Sequence, residues 1–349
     1  MFRQSKTSTK LYNGIIGGMF GFGEFNEYNK ITPPFYTGRE LFFANARSCI
    51  NFLARKLKPA KIWVPSYLCE VILHSIQGFS VEFYGMNTHL QVSRDWLHCI
   101  KRGDIVIFID YFGFPFDSSL SKAVKEQGGW VVEDASQALL SMHVGDNSDF
   151  VIFSPRKFLG VPEGGMLRNN TNLDFSDSRL IPPPAEWLLK SFFATVYRSE
   201  FDRSGGDRRW YQLFQEIEQE SPIGDYGMND LTRNVIEGCY DYSEIVKERI
   251  GNYEILDGHL NKMALFPALS DGVVPLGFPV LLKNRNGVRQ KMFEKNIYPP
   301  IHWDVGEYVP KKFEHSHALA GRILTLICDQ RYDAKDMEKI AEIVLEEEK

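Results

Sequence analysis

The sequence predicts an α/β protein built on a mostly parallel sheet, and three observations predict it. Several short segments are continuous apolar runs such as "DIVIFIDYFGFP" and "DFVIFS", the pattern of strands covered on both faces. Stretches with helical apolar spacing separate them. A second strand–helix unit follows a composition shift near residues 240–265. With 349 residues the chain exceeds one compact core. The expected division is a large domain over 1–245, with an N-terminal arm over 1–40, and a smaller C-terminal α/β domain over 246–349.

Taken in order, residues 1–40 are rich in Gly, Phe and Pro and read as an arm that wraps a surface or a partner. Ile50, Leu53 and Leu57 recur at helical spacing behind the polar pair Asn45 and Ser48, which predicts a helix over Ala46–Leu57. "KIWVPSYLC", "VEFYGM", "DIVIFIDYFGFP", "WVVED" and "DFVIFS" read as strands. The segment 169–227 is mixed, with a proline run at Pro182–Pro184, a helix expected over Trp187–Ser199 and the polar stretch "RSEFDRSGGDRRW". Helical texture resumes over Met228–Leu260. The strand "GFPVLLK", a helix near Asn286–Asn296 and the amphipathic "DAKDMEKIAEIVLEEEK" complete the second unit. No internal repeat or low-complexity segment interrupts this order.

The formal net charge of −5 leaves no basic footprint, so nucleic acid is not an expected partner. Cys49, Cys69, Cys99, Cys239 and Cys328 are widely spaced and form no CxxC pair, which suits free thiols in a reducing compartment rather than disulfides or zinc. His74, His98 and His143 show no metal-ligand spacing. The N-terminal basic residues precede no apolar run, and no stretch is long enough to span a bilayer. A cytoplasmic protein without a membrane partner is the expectation.

The chemistry concentrates in "WVVEDASQALLSMHVGDNSDFVIFSPRKFLGVPEGG", Trp130–Gly165. One strand ends in Glu133-Asp134, and Lys157 follows the end of the next. Ligands of open α/β sheets sit at the carboxyl ends of parallel strands, so Asp134 and Lys157 can converge on one crevice. Pyridoxal phosphate needs such a pair: a lysine for its Schiff base and a carboxylate facing its pyridine nitrogen. The carboxylate keeps that nitrogen protonated, and the lysine, once displaced by an amine substrate, shuttles the proton. Strand alternation turns Glu133 to the opposite face, in a structural role. Glu163, before Gly164-Gly165, reads as shaping the loop. Taken singly, Asp134 could be a capping acid and Lys157 a solvated lysine; their joint placement favours the cofactor.

These residues resemble a known family. "VVEDASQA" is similar to the acid segment, and "SPRKFLGVPEGG" to the lysine segment, of the sugar aminotransferases of the DegT/DnrJ/EryC1/StrS type. "NARSCINFLARKLKPAKIWVPSYLC", "IDYFGFPFD", "GMNDLTRNVIEG", "FPVLLKNRNGVRQKMFEKNIYPPIHW" and "LTLICDQRYDAKDMEKI" resemble further family segments in the same order, from about Phe42 onward. The resemblance implies a PLP-dependent transferase of fold type I (aspartate aminotransferase-like), with a large, mostly parallel seven-stranded sheet and a smaller C-terminal domain. It implies an amino transfer from a donor such as glutamate to a nucleotide-linked keto-sugar, in polysaccharide biosynthesis, by a homodimer whose sites are completed by the partner subunit.

Carried over by residue, Lys157 would hold the cofactor as a Schiff base and Asp134 would pair with its ring nitrogen. Gln137 would lie near the phenolic oxygen. The turn Asn45-Ala46-Arg47-Ser48 would cradle the phosphate at a helix N-terminus, with Ser154 as a hydroxyl donor. Some positions depart from the family pattern. Ile152 stands where a serine is usual, five residues before the lysine. Cys69 stands where an aromatic ring stacks on the cofactor, a role left to Tyr67 or Phe112. Asp225 and Gly227 replace the phosphate-binding Asn and Arg of the partner, with Arg208 or Arg209 as compensation. His302-Trp303 reads either as a substrate contact, together with Phe112, or as a packed strand end. Two other readings stay open: another fold-type-I enzyme acting on an amino acid or small amine, and a catalytically silent homologue with a binding role.

Overall fold

The computed structural model describes residues 14–23 and 31–349. Half of the expected arm, residues 1–13 and 24–30, therefore lies outside the described residues. Among the described residues, eleven strands occur in chain order: β1 Ile16–Gly17, β2 Glu40–Phe43, β3 Ile62–Pro65, β4 Val81–Tyr84, β5 Ile105–Ile109, β6 Trp130–Asp134, β7 Phe150–Phe153, β8 Gly165–Asn169, β9 Phe278–Leu281, β10 Ile297–Tyr298 and β11 Ile323–Leu326. Seven of them form the large sheet in the order β2-β8-β7-β6-β5-β3-β4. β8 runs antiparallel to both neighbours, and the remaining strands run one way. The α/β class and the mostly parallel seven-stranded sheet expected from the sequence are the architecture of the chain.

Continuous apolar strands follow from burial on both faces. All five residues of β5 are buried, and Val131 and Val132 of β6 lie with them in one core with Phe52, Leu53 and Phe150. The predicted helix Ala46–Leu57 has the predicted bounds. Asn45 caps it, its side chain accepting from the Ser48 N–H at 2.8 Å, and Lys58 ends it in the left-handed region at φ 47°. Its buried face carries Cys49, Ile50, Phe52 and Leu53.

The second unit pairs β9 with β11 antiparallel. The helices Tyr242–Leu260 and Ala334–Glu347 pack with it around Tyr253, Leu256, Val280, Leu324, Ile340 and Val344. Asp333 and Asp336 form a capping box at the start of the last helix. The boundary expected at 245/246 falls inside the helix Tyr242–Leu260, whose first turn packs with the large sheet's core and whose later turns pack with the small one. β1 pairs in parallel with β10, so the described part of the arm lies against its own chain.

Three expectations change in detail. The helix expected over Trp187–Ser199 runs over Ala185–Ser204 and takes in part of the polar stretch "RSEFDRSGGDRRW". The rest of that stretch opens a further helix, Arg209–Gln219. The texture over Met228–Leu260 resolves into two helices, Asp230–Gly238 and Tyr242–Leu260. Polar composition hid the first two, because these helices bury only narrow faces.

One close approach locks the sheet to the capped helix. A Cβ on Gly165, the first residue of β8, would lie 2.2 Å from the Asn45 carbonyl carbon and 2.4 Å from the Ala46 nitrogen. Only glycine lets β8 pass there. Gly165→Ala is expected to lower stability by about 3 kcal/mol, read as a drop in the thermal unfolding midpoint; an unchanged midpoint would refute the tight packing.

Candidate active site

The parallel register brings the carboxyl ends of three strands level. Asp134, the last residue of β6, pairs with Ile109 of β5 on one side and Ile152 of β7 on the other. Beyond β7, Ser154 leads into one 3₁₀ turn, Pro155–Lys157, which returns Lys157 to the strand ends. A cavity of about 510 Å³ opens there. Asn45, Ala46, Arg47, Cys69, Asp134, Gln137, Ser154, Lys157, His302 and Trp303 all line it. The sequence-selected residues from the two units thus meet at one crevice, at the strand ends where open α/β sheets bind ligands.

Asp134 is buried, and one of its oxygens accepts from the Ser136 N–H at 3.0 Å. The Lys157 backbone N–H donates to the Ser154 carbonyl at 3.2 Å, while its side-chain amine makes no hydrogen bond or ion pair to the described residues. Gln137 is 1% exposed; its Oε1 accepts from the Phe112 N–H at 2.7 Å, and its Nε2 has no partner among the described residues. An orphaned donor at a cavity wall is costly unless a ligand satisfies it. At the other end lies the first turn of Ala46–Leu57, whose leading N–H groups have no intrahelical acceptor and favour an anion.

The small unit closes the cavity with His302, Trp303 and Thr325. His302 Nδ1 lies 3.0 Å from Thr325 Oγ1. Enclosure of the ring, reinforced by the nearby Lys157 ammonium, pushes its pKa from 6.5 down to about 3.

Three of the expected contacts lie behind the wall instead. Ser48 is fully buried, its Oγ donating to the Pro222 carbonyl at 3.3 Å. Tyr67 is fully buried; its hydroxyl donates to the His302 carbonyl and accepts from the Trp303 N–H at 2.8 Å. Phe112, also fully buried, sits at φ 58° and lies 6.0 Å, centroid to centroid, from the His302 ring. Tyr67 and Phe112 therefore support the residues that line the cavity, and neither ring faces it. Arg208 and Arg209 do not reach it either: they lie over the Tyr298 and Tyr197 rings. Asp225 is half-buried and pairs with Arg55.

Glu133 faces away from the cavity, as strand alternation requires. It accepts from the Gly145 N–H at 3.0 Å and from the Ser148 hydroxyl, and burial raises its pKa. Glu163 is fully buried and accepts from the Asn229 N–H at 2.8 Å, tying the lysine loop to the start of Asp230–Gly238. Burial pushes its pKa up to about 8. Sequence reasoning missed Arg156 and Glu218, which also line the cavity. Arg156 had a signal in its place next to Lys157; Glu218 had none, because it arrives from the unforeseen helix Arg209–Gln219.

No protein-family model and no curated protein matches the sequence. Solved structures do. Spr1654 of Streptococcus pneumoniae, assigned as a sugar aminotransferase and solved in its PLP form, superposes with a TM-score of 0.65 at 14% identity, over 88% of this chain and 87% of that one. A DegT/DnrJ/EryC1/StrS aminotransferase from Brucella abortus gives 0.60 at 15% identity, over 88% and 86%. DesI, solved with its TDP-sugar product, gives 0.60 at 16% identity, over 87% and 79%. The chain has the fold of the sugar aminotransferases. That fold is fold type I, the one the sequence resemblance implied.

The His302 shift sets a pH dependence. The folded state takes up this proton only near pH 3, whereas the unfolded chain takes it up near the ordinary 6.5. The unfolded state binds more protons in between, so stability contributed above pH 6.5 is lost as pH falls toward 3. His302→Gln is therefore expected to flatten the decline of the unfolding midpoint between pH 7 and 4.5. Parallel profiles for the two proteins would contradict a neutral His302.

Proposed function

We propose that this protein is a PLP-dependent aminotransferase that moves an amino group from a donor such as glutamate to a nucleotide-linked keto-sugar. The observation that carries the reading is the convergence of Asp134, Lys157 and Gln137 on one cavity, with the Gln137 Nε2 unpartnered among the described residues. That donor and acceptor set fits the cofactor. The capped helix start at Asn45–Ala46 suits its phosphate, Asp134 suits its ring nitrogen, and Gln137 Nε2 suits its phenolic oxygen. The shared fold with Spr1654 in its PLP form and with DesI beside a TDP-sugar supports cofactor and substrate class.

When bound, pyridoxal phosphate supplies the electron sink that acidifies the substrate's α-carbon. The rest falls to this chain. Asp134 presents a buried carboxylate that favours a protonated partner nitrogen. Lys157, whose side-chain amine has no partner among the described residues, would hold the cofactor covalently and would carry the proton taken from the substrate's α-carbon. Gln137 would orient the ring by donation, its own orientation set by the Phe112 N–H. His302 and Trp303 wall the substrate side and limit water. Homodimer formation and a cytoplasmic location are part of the proposal. The exposed Leu189, Phe193 and Val196, at one-turn spacings on Ala185–Ser204, offer an apolar face for a second copy.

Purified protein mixed with pyridoxal phosphate is expected to develop the absorption band of a lysine-bound cofactor, and Lys157→Ala to abolish it. Glutamate should bleach the band and a nucleotide keto-sugar should restore it. Absence of any band in the parent protein would sink the enzyme reading, and bleaching by other amines alone would favour another fold-type-I activity. Asp134→Asn is expected to retain the cofactor but slow turnover by about 10²-fold or more; unchanged turnover would remove Asp134 from its role.

A further inference from the structure

At the end of the cavity where the helix Ala46–Leu57 starts, two guanidinium groups share one carboxylate. Arg47, in the first turn of Ala46–Leu57, and Arg156, next to Lys157, approach each other there. The Glu218 carboxylate lies between them. Arg47 Nη2 donates to Glu218 Oε2 at 2.6 Å, and Arg156 Nη2 donates to Glu218 Oε1 at 2.5 Å. Arg47 Nη1 also donates to the Glu218 backbone carbonyl at 2.7 Å. The two side-chain nitrogens thus bind an anion in common, in the geometry guanidinium groups use for phosphate.

Charge shows that Glu218 alone is not the best occupant. Two guanidinium groups face one carboxylate, at a helix start that itself carries positive partial charge. Although burial opposes ionisation, Arg156 and Arg47 hold the Glu218 carboxyl below its usual range. A phosphate monoester carries close to two negative charges near neutral pH, and so balances the pair better than a single carboxylate. Glu218 also has somewhere to go: its side chain is 31% exposed, against 15% and 21% for Arg47 and Arg156. The backbone around it is anchored independently. Asn45 Nδ2 donates to the Pro222 carbonyl at 2.7 Å, and the Gly224 N–H donates to Ser48 Oγ at 3.4 Å. The carboxylate can therefore turn outward while the 220–224 segment stays over the helix start.

We propose that Arg47 and Arg156 form a phosphate-ester subsite within one chain, and that Glu218 is its internal counter-ion, exchanged for the incoming phosphate. The inference rests on the proposed cofactor reading for the identity of the ester. It does not rest on it for the subsite, which inorganic phosphate probes alone. The arrangement also places on one chain the phosphate contacts that the family resemblance would assign to a partner subunit.

Calorimetric titration of the full chain with inorganic phosphate, pyridoxal phosphate and pyridoxal tests it. Arg156→Met is expected to weaken inorganic phosphate and pyridoxal phosphate by about tenfold or more, the worth of a hydrogen bond to a charged group, and to leave pyridoxal within about twofold of the parent. Glu218→Gln keeps the shape but removes the competing charge, and is expected to strengthen both phosphate ligands by a similar factor. Thermal unfolding of each variant establishes that it is folded. Weaker phosphate binding by Glu218→Gln, or unchanged binding by Arg156→Met, would overturn the exchange. If pyridoxal phosphate forms no lysine-bound band while inorganic phosphate still follows Arg156 and Glu218, the cofactor reading fails and the anion subsite stands.

Discussion

The parallel register of β5, β6 and β7 is the constraint on which the rest depends. Because Ile109, Asp134 and Ile152 are paired across the sheet, the strands end level and their following residues share one rim. A slip of one residue would turn Asp134 toward the Gly145 side and Glu133 toward the cavity. The register is protected by the apolar faces of β5 and β7, buried on both sides. It is protected also by Glu133, whose bonds to Gly145 and Ser148 require it to point where it does. The buried acid that takes no part in the cavity thus holds in place the one that does.

Around this rim the two units divide the work. The large sheet supplies the acid, the lysine and the helix start. The small unit supplies His302, Trp303 and Thr325. Tyr67 joins them, its hydroxyl bonding both polar groups of the 302–303 peptide, the His302 carbonyl and the Trp303 N–H. Its contribution is orientation: a phenol satisfied by two backbone groups cannot turn toward a ligand without leaving both unpaired. The cavity face at the adjacent position belongs to Cys69, a smaller side chain, and Trp303 is the large aromatic surface nearby.

Much of the fold was legible from residue patterns. The helix Ala46–Leu57 announced itself by its cap and its apolar spacing. The central strands announced themselves by unbroken apolar runs, and the last helix by its own periodicity. β2 and β8 were less visible: "ELFF" and "GMLRN" are short, and they pair with each other across more than a hundred residues. The helix Arg209–Gln219 was hidden by its composition. Of the site, Asp134, Gln137 and Lys157 were legible because a strand end followed by an acid, or by a lysine and glycines, is a local signature. Arg156 had only its place beside Lys157 as a signal and Glu218 had none, because their meaning lies in a contact across 62 residues.

The sequence by itself determined the class of the fold, the positions of the strand ends and the acid–lysine pair, since each depends on periodicity and short-range order alone. Tertiary structure decided which side chains reach the cavity. It placed Tyr67 and Phe112 behind the wall, Cys69 on it, and a carboxylate from a distant helix between two arginines. The physical reason is that burial and charge pairing are settled among groups far apart in the chain. A residue's type limits what it can do, and only its packed neighbours decide which of those things it does.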